Sequence, residues 1–253
     1  MPSAAVLRVQ IERALEHRIP TALTIAPRSE RAVACLGIDS VDALLDGGLP
    51  VGAISELTGP DSSGRTSLAL AFVAQRTASE QVCAWVDVAD ALAPESAAAS
   101  GVALQRLLWV RCAPAEPRAG AKPWARLDQA LRATDLLLQV GGFGAIVLDL
   151  GNTAPEHGCR IPLATWFRWR QAAERTQCCL VVLGKMAYAQ SSAAVVLECS
   201  PLRAVTAGTT VLQEFAFAVA RRRERFSPSA TGLRKPPAAT WSAHAAWDAE
   251  KRA

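Results

Sequence analysis

No window of this 253-residue chain reaches the roughly eighteen consecutive apolar residues that a membrane-spanning helix needs. The N-terminus also lacks a basic region followed by an apolar run and a small-residue cleavage site. These absences predict a protein that neither spans a membrane nor carries a recognisable export signal. Cysteine occurs at 35, 83, 112, 159, 178, 179 and 199, never as Cys-x-x-Cys, so no metal site is assigned and no complete intramolecular pairing is possible. Such usage suits a reducing cytoplasm. Cys178 and Cys179 run into Leu180-Val181-Val182, a setting in which a thiol acts as a small core hydrophobe. Charge of one sign is scarce too: 27 Lys and Arg against 23 Asp and Glu leave +4, too little to imply nucleic acid by itself.

What the chain does have is apolar content, 51% of its residues, enough for one large α/β domain with short appendages. It also has the run Gly59-Pro60-Asp61-Ser62-Ser63-Gly64-Arg65-Thr66. The usual phosphate loop is Gly, four residues, then Gly-Lys-Ser/Thr between a strand and a helix. Its glycines let backbone N–H groups surround phosphate oxygens, and the helix N-terminus adds positive potential. Here Ala53 to Leu57 supplies the strand and Thr66 to Arg76 the helix. Gly59, Ser62, Ser63, Gly64, Arg65, Thr66 and Ser67 are therefore the candidate nucleotide-binding residues. The lysine, however, has become Arg65. A guanidinium is a wide planar fork where an ammonium is a compact point charge, so phosphate attraction can survive while transfer geometry is lost.

Around this loop, short apolar runs alternate with helical segments. Strands are predicted at Val82 to Val86, Leu107 to Val110, Ala145 to Leu148, Leu180 to Leu183 and Val195 to Leu197, and helices over 66–76, 122–139 and 162–175. Near-continuous apolar strands alternating with helices indicate a largely parallel central sheet flanked by helices on both faces. A short helix with Ser40 as N-cap precedes the loop, stopped by Gly47-Gly48 and Pro50. Leu7, Ile11, Ala14 and Leu15 make 4–17 an amphipathic helix, either an arm for a partner or self-association, or a helix folded back on its own core. The predicted organisation is an N-terminal helix and linker over 1–34, a core over 35–225 and a flexible tail over 226–253.

Trp166 and Trp169, at i and i+3 between Phe167, Arg168 and Arg170, admit stacking on single-stranded nucleic acid. Core packing with the arginines left wet is the favoured reading. A late strand over Thr209 to Ala220 leads into Arg221, Arg222, Arg223 and Arg225, after which the polar, proline-containing tail carries Trp241 and Trp247. These six residues are the candidates for partner or DNA contact. The alternative is arginines on a solvated strand end and tryptophans docked on the protein's own surface. As a tail, 226–253 should be removable with little effect on thermal stability.

A phosphate-loop enzyme places an aspartate at the end of an apolar strand to hold Mg²⁺ through water. Asp149, after Ala145-Ile146-Val147-Leu148, occupies that position, although such a residue also serves as a helix cap or turn residue. The segment Ile38 to Gly52, running into Glu56 and Gly59 to Gly64, resembles the opening of the RecA recombinase core, and Cys83 to Asp87 with Ala91 to Pro94 resembles its second strand and following loop. That likeness covers roughly residues 35 to 200 and implies a RecA-like phosphate-loop fold.

Departures from the family pattern fall on its chemistry. Where active recombinases carry a glutamate that polarises the attacking water, this chain has Ala89, followed by Asp90. A methyl group cannot orient water. In place of a polar amide sensing the γ-phosphate stands Gly184-Lys185, and the DNA-binding loop is reduced to about Met186 to Ser192.

A RecA-like core without these parts, with an N-terminal helix and a basic, tryptophan-bearing tail, is similar to the ImuA family of damage-inducible accessory proteins in error-prone translesion synthesis. The resemblance implies binding without catalysis. The implied partners are ImuB, an inactive Y-family polymerase homologue, and an error-prone C-family polymerase, with RecA and weakly held DNA as further candidates. No cofactor is required; ATP or ADP with Mg²⁺ is compatible with the loop but is not expected to be hydrolysed. The alternatives are a working RecA- or KaiC-like ATPase, in which Arg65 serves for lysine, and a SulA-like cell-division inhibitor, whose relatives are less complete at the phosphate loop.

Overall fold

Apolar runs in the centre of the chain become parallel strands covered on both faces, and alternate side chains feed two separate cores. In Cys83–Asp87, Cys83 and Trp85 pack into one cluster while Ala84 and Val86 pack into the other; Ala145 and Val147 divide from Ile146 and Leu148 in the same way. The computed structural model describes Val6 and residues 31–112, 125–151, 153–207, 211–224 and 236–244. The chain divides into two units, Met1–Arg31 and Ala32–Ala253, and the described part of the second carries the sheet. The amphipathic helix predicted over 4–17 lies outside the described residues apart from Val6, which is helical and exposed.

The strands are β1 (Val33–Ala34), β2 (Leu49–Pro50), β3 (Ile54–Thr58), β4 (Cys83–Asp87), β5 (Leu107–Arg111), β6 (Ala145–Asp149), β7 (Cys179–Gly184), β8 (Ala193–Ala207), β9 (Val211–Glu224) and β10 (Ala238–His244). β1 and β2 pair antiparallel by themselves. The main sheet has the order β10-β9-β8-β3-β7-β6-β4-β5. From β8 through β3, β7, β6 and β4 to β5 every pairing is parallel, and β9 and β10 add an antiparallel flank. The helices Arg65–Ala78, Ala125–Val140 and Leu163–Thr176 stand close to the predicted spans. Trp166 and Trp169 are fully buried edge to face at 5.2 Å, while the Arg168 guanidinium bonds Asp135, so the predicted core packing is what the fold adopts. Cys83, Cys112, Cys178, Cys179 and Cys199 are buried.

Three expectations change. The short helix spans Asp39–Leu44 with Ile38 at its N-cap position. Asp42 takes the capping role expected of Ser40, because its carboxylate reaches back to accept the N–H groups of Leu36 (2.7 Å), Gly37 (2.9 Å) and Ile38 (3.3 Å). Ser40 instead donates its hydroxyl to the Thr240 carbonyl at 2.7 Å.

The strand predicted over Val195 to Leu197 is longer, Ala193–Ala207, and its partner Val211–Glu224 likewise outruns the described part of the predicted Thr209 to Ala220 span. Register shifts at three places, one between Pro201 and Arg203, let this long ribbon tolerate a proline.

The tail expected from 226 gives way at Ala238–His244, which pairs with β9 from Ala220 to Glu214. That pairing satisfies the backbone and delivers Trp241, 8% exposed, to the core. Arg225 and Trp247 lie outside the described residues.

Candidate functional site

In a parallel sheet, ligands sit beyond the carboxyl ends of the strands. β3, β4, β6 and β7 bring the phosphate loop, Asp87, Asp149 and Lys185 to that edge. The loop has the backbone its sequence demands. Gly59, Ser62 and Gly64 take φ of 147°, 61° and 85°. At Gly59 a Cβ would collide with the Cys199 carbonyl of β8, and at Gly64 it would lie 2.8 Å from the Phe217 ring and 3.0 Å from that of Trp241. These φ values turn the loop into the start of the helix Arg65–Ala78, whose first bond is Leu68 N–H to Gly64 O at 2.9 Å. Ser62, Ser63, Gly64, Arg65, Thr66 and Ser67 line a pocket of about 240 Å³ together with Phe215 and Phe217.

Arg65 is 8% exposed. Its Nη2 donates to Asp61 Oδ1 at 3.3 Å, and its Nη1 is buried with no hydrogen-bond partner among the described residues. The guanidinium lies on the Asp149 side of the loop: a Cβ on Gly151 would stand 2.9 Å from Asp149 Oδ1 and 4.0 Å from Arg65 Nη2. Asp61 also accepts from Lys185 Nζ at 3.2 Å through its other oxygen. An ion chain Arg65–Asp61–Lys185 thus spans the mouth of the loop.

Asp149 at the end of β6 stands in register with Asp87 at the end of β4. Burial pushes the Asp149 carboxyl up to about 6; its bond from Gly151 N–H opposes this, the Asp87 charge adds to it and the Arg65 charge opposes it. Asp87 accepts Leu92 N–H at 2.8 Å and Trp109 Nε1–H at 3.3 Å. Ala89 lines a groove of about 310 Å³ with Arg126, Thr153 and His157. Its neighbour Asp90 gives both carboxylate oxygens to Arg111, at 2.6 Å each, and that hydrogen bonding holds its carboxyl below the usual range.

The short loop after β7 is fastened by a residue that sequence reading placed in the strand and in the RecA-like opening without assigning it a role. Glu56 in β3, 1% exposed, accepts Tyr188 N–H (2.6 Å) and Ala189 N–H (3.0 Å) on one oxygen. Burial raises its pKa against those two bonds. The Tyr188 ring fills the space beside Gly158 and Gly184, each of which would clash with it if it carried a Cβ. A charged residue inside a strand was the available signal for Glu56; nothing local marks Tyr188, and Lys185 was marked only as a departure from the family pattern.

The remaining candidates sit elsewhere. Trp241 is packed on Phe217 with ring centroids 4.8 Å apart, so it is a wall behind Gly64 and not a free anchor for a partner. The arginines lie within β9 and have intramolecular partners: Arg221 with Asp46 at 3.2 Å, Arg222 with Glu198, and Arg223 with the Gln190 carbonyl. The nucleotide-site residues and Asp149 are brought together; of the partner-contact candidates among the described residues, Trp241 is buried while Arg221, Arg222 and Arg223 lie on β9.

The loop backbone, the helix N-terminus and the orphaned Ser63 Oγ and Arg65 Nη1 fit a phosphate group. A Mg²⁺ on Asp149 would face the Arg65 guanidinium and a carboxyl that burial drives towards protonation.

The RecA N-terminal domain matches residues 21–156, over half of the chain. Protein RecA of Ruegeria pomeroyi is 40% identical over 114 residues, covering 45% of this chain and 29% of the relative. Protein RecA of Allorhizobium ampelinum is 42% identical over 107 residues, covering 42% and 26%. The chain thus spans under a third of these relatives' length. The crystal structure of the RadB recombinase superposes with a TM-score of 0.59 over 82% of this chain and 94% of that one, at 18% identity, a likeness of fold.

Proposed function

The chain belongs to the RecA N-terminal domain family, and from that premise we propose that it is a non-catalytic RecA-like accessory protein of damage-inducible, error-prone translesion DNA synthesis, related to ImuA. The observation that carries the non-catalytic reading is the placement of Arg65. Its guanidinium is buried and bonded to Asp61, so it is not the unpaired cation a γ-phosphate requires. Two further features support it: a methyl group at Ala89, and an Asp90 whose oxygens are both taken by Arg111. Asp90 has no lone carboxylate to offer as a base without breaking that pair. If a nucleotide binds, Ser62 to Ser67 would hold its phosphates and Asp149 would face its metal. The metal would supply charge neutralisation, and the chain's own residues would only bind and orient.

The role is then carried by contacts with an inactive Y-family polymerase homologue of the ImuB type and a C-family polymerase, with RecA, DNA or a second copy as further partners. Arg222 and Arg223 remain exposed on β9 and offer a cationic face for such contacts. Co-purification from DNA-damaged cells followed by mass identification tests this. The polymerase-like partner should be recovered; recovery of a tubulin-like division protein in its place would sink the proposal. The intact loop backbone favours one second reading, a working RecA- or KaiC-like ATPase, which Mg²⁺-dependent phosphate release with and without single-stranded DNA separates from the first.

A further inference from the structure

We propose that the trough between the first turns of the helix Ala125–Val140 and the segment Thr153 to Ile161 docks an acidic segment of a partner protein, one with carboxylates around a few apolar side chains. The inference does not depend on the role proposed above. The trough has two halves, of about 310 and 200 Å³, which share Leu127 and His157 in their walls. It is separate from the phosphate loop, since no residue from Gly59 to Ser67 lines either half.

Its floor is aliphatic. Val88, Leu127 and Ile161 belong to one core cluster, and half-buried Leu131 packs against it. A floor of this kind gains from an apolar side chain laid upon it.

Its rim is cationic. Arg126 lines the half that includes Ala89, Arg160 lines the other, and His157 belongs to both. Both arginines are exposed. Elsewhere Arg106, Arg111, Arg168, Arg221 and Arg222 each hold a carboxylate. Among the described residues, Arg126, His157 and Arg160 hold none within ion-pair distance, and Asp128, the one acid of the described lining, is bonded to none of them. Asp90 lies near enough to feel the Arg126 charge, but both of its oxygens are bonded to Arg111.

Unpaired cations around an apolar floor complement carboxylates that flank an apolar side chain. Nucleic acid fits this surface less well. No Phe, Tyr or Trp stands among the described lining residues to stack on a base.

The test pans a displayed library of short random peptides on the full chain, then titrates one enriched peptide, synthesised with a fluorescent label, by anisotropy. The enriched peptides should carry Asp or Glu around a few apolar residues. The double variant Arg126→Glu/Arg160→Glu should weaken the labelled peptide about tenfold or more, and it should keep the wild-type melting curve because both side chains are exposed. A peptide with alanine at its apolar positions should bind more weakly than its parent, which bare charge attraction would not require. A library that yields no peptide, or only basic or uncharged ones, overturns the proposal. So does an acidic peptide that binds the double variant as tightly as wild type, or an alanine peptide that binds as well as its parent. A single-stranded oligonucleotide that displaces the peptide and loses its own affinity in the double variant would assign the trough to nucleic acid, and self-association lost in that variant would assign it to a second copy. Either result overturns the proposal as well.

Discussion

Arg65 and Asp149 show how one substitution reorganises a site. The Arg65 guanidinium bonds Asp61 and also places a positive charge near Asp149 that partly offsets the burial of that carboxyl. Asp149 remains under electrostatic stress, with its carboxyl pushed up to about 6 by burial. The folded pKa therefore exceeds the unfolded value of about 3.9, so the folded state binds the extra proton between those values. Stability falls as pH rises through that window, and the cost is fully present at pH 7. Asp149→Asn should accordingly stabilise the protein at pH 7 by on the order of 1–2 kcal/mol, with the gain shrinking towards pH 4. Chemical denaturation at the two pH values checks both sign and trend.

Glu56 behaves differently, since its carboxylate is the acceptor for two backbone N–H groups. Glu56→Ala should cost about 2–4 kcal/mol by stranding those donors, and Glu56→Gln, which keeps an acceptor, much less. Urea midpoints of the two variants measure the difference.

Among the elements, the antiparallel flank separates this molecule from a bare phosphate-loop domain. β10 pairs with β9, bonds Ser40 through Thr240, and sets Trp241 against Phe217 and Gly64. Trp241→Ala should therefore destabilise by about 3 kcal/mol, and deletion of 236–253 should lower the melting temperature clearly. A differential scanning trace unchanged by either would mean that β10 does not belong to the cooperative core.

β10 was hidden in the sequence because Ala238 to His244 is short and mostly small or polar, and its partner is a strand it meets only after folding. β4, β6 and β7 were legible for the opposite reason, since burial on both faces writes a near-continuous apolar run into each, whereas β3, with Ser55, Glu56 and Thr58, was located by the phosphate loop that follows it. The phosphate loop was legible because its glycines are fixed by backbone conformation. Its electrostatics were not, because Lys185 meets Asp61 across 124 positions of sequence.

At the scale of the whole molecule, the family's fold is kept, and on the proposed non-catalytic reading the groups around the loop are engaged with one another. Arg65 is bonded to Asp61, Asp90 to Arg111, and Tyr188 fills the space after β7. Restoring single parts should not restore turnover. Arg65→Lys combined with Ala89→Glu is expected to give little ATP hydrolysis, because Gly184-Lys185 and the Tyr188 plug still occupy the sensor end. Steady-state phosphate release by the double variant checks this.

The most direct test of a non-catalytic role is the wild-type protein's own reaction with ATP and Mg²⁺, measured as phosphate release with and without single-stranded DNA. No turnover above the background of an Arg65→Ala protein is expected, with or without DNA. A recombinase-like rate that is stimulated by DNA and abolished by Arg65→Ala would contradict that role.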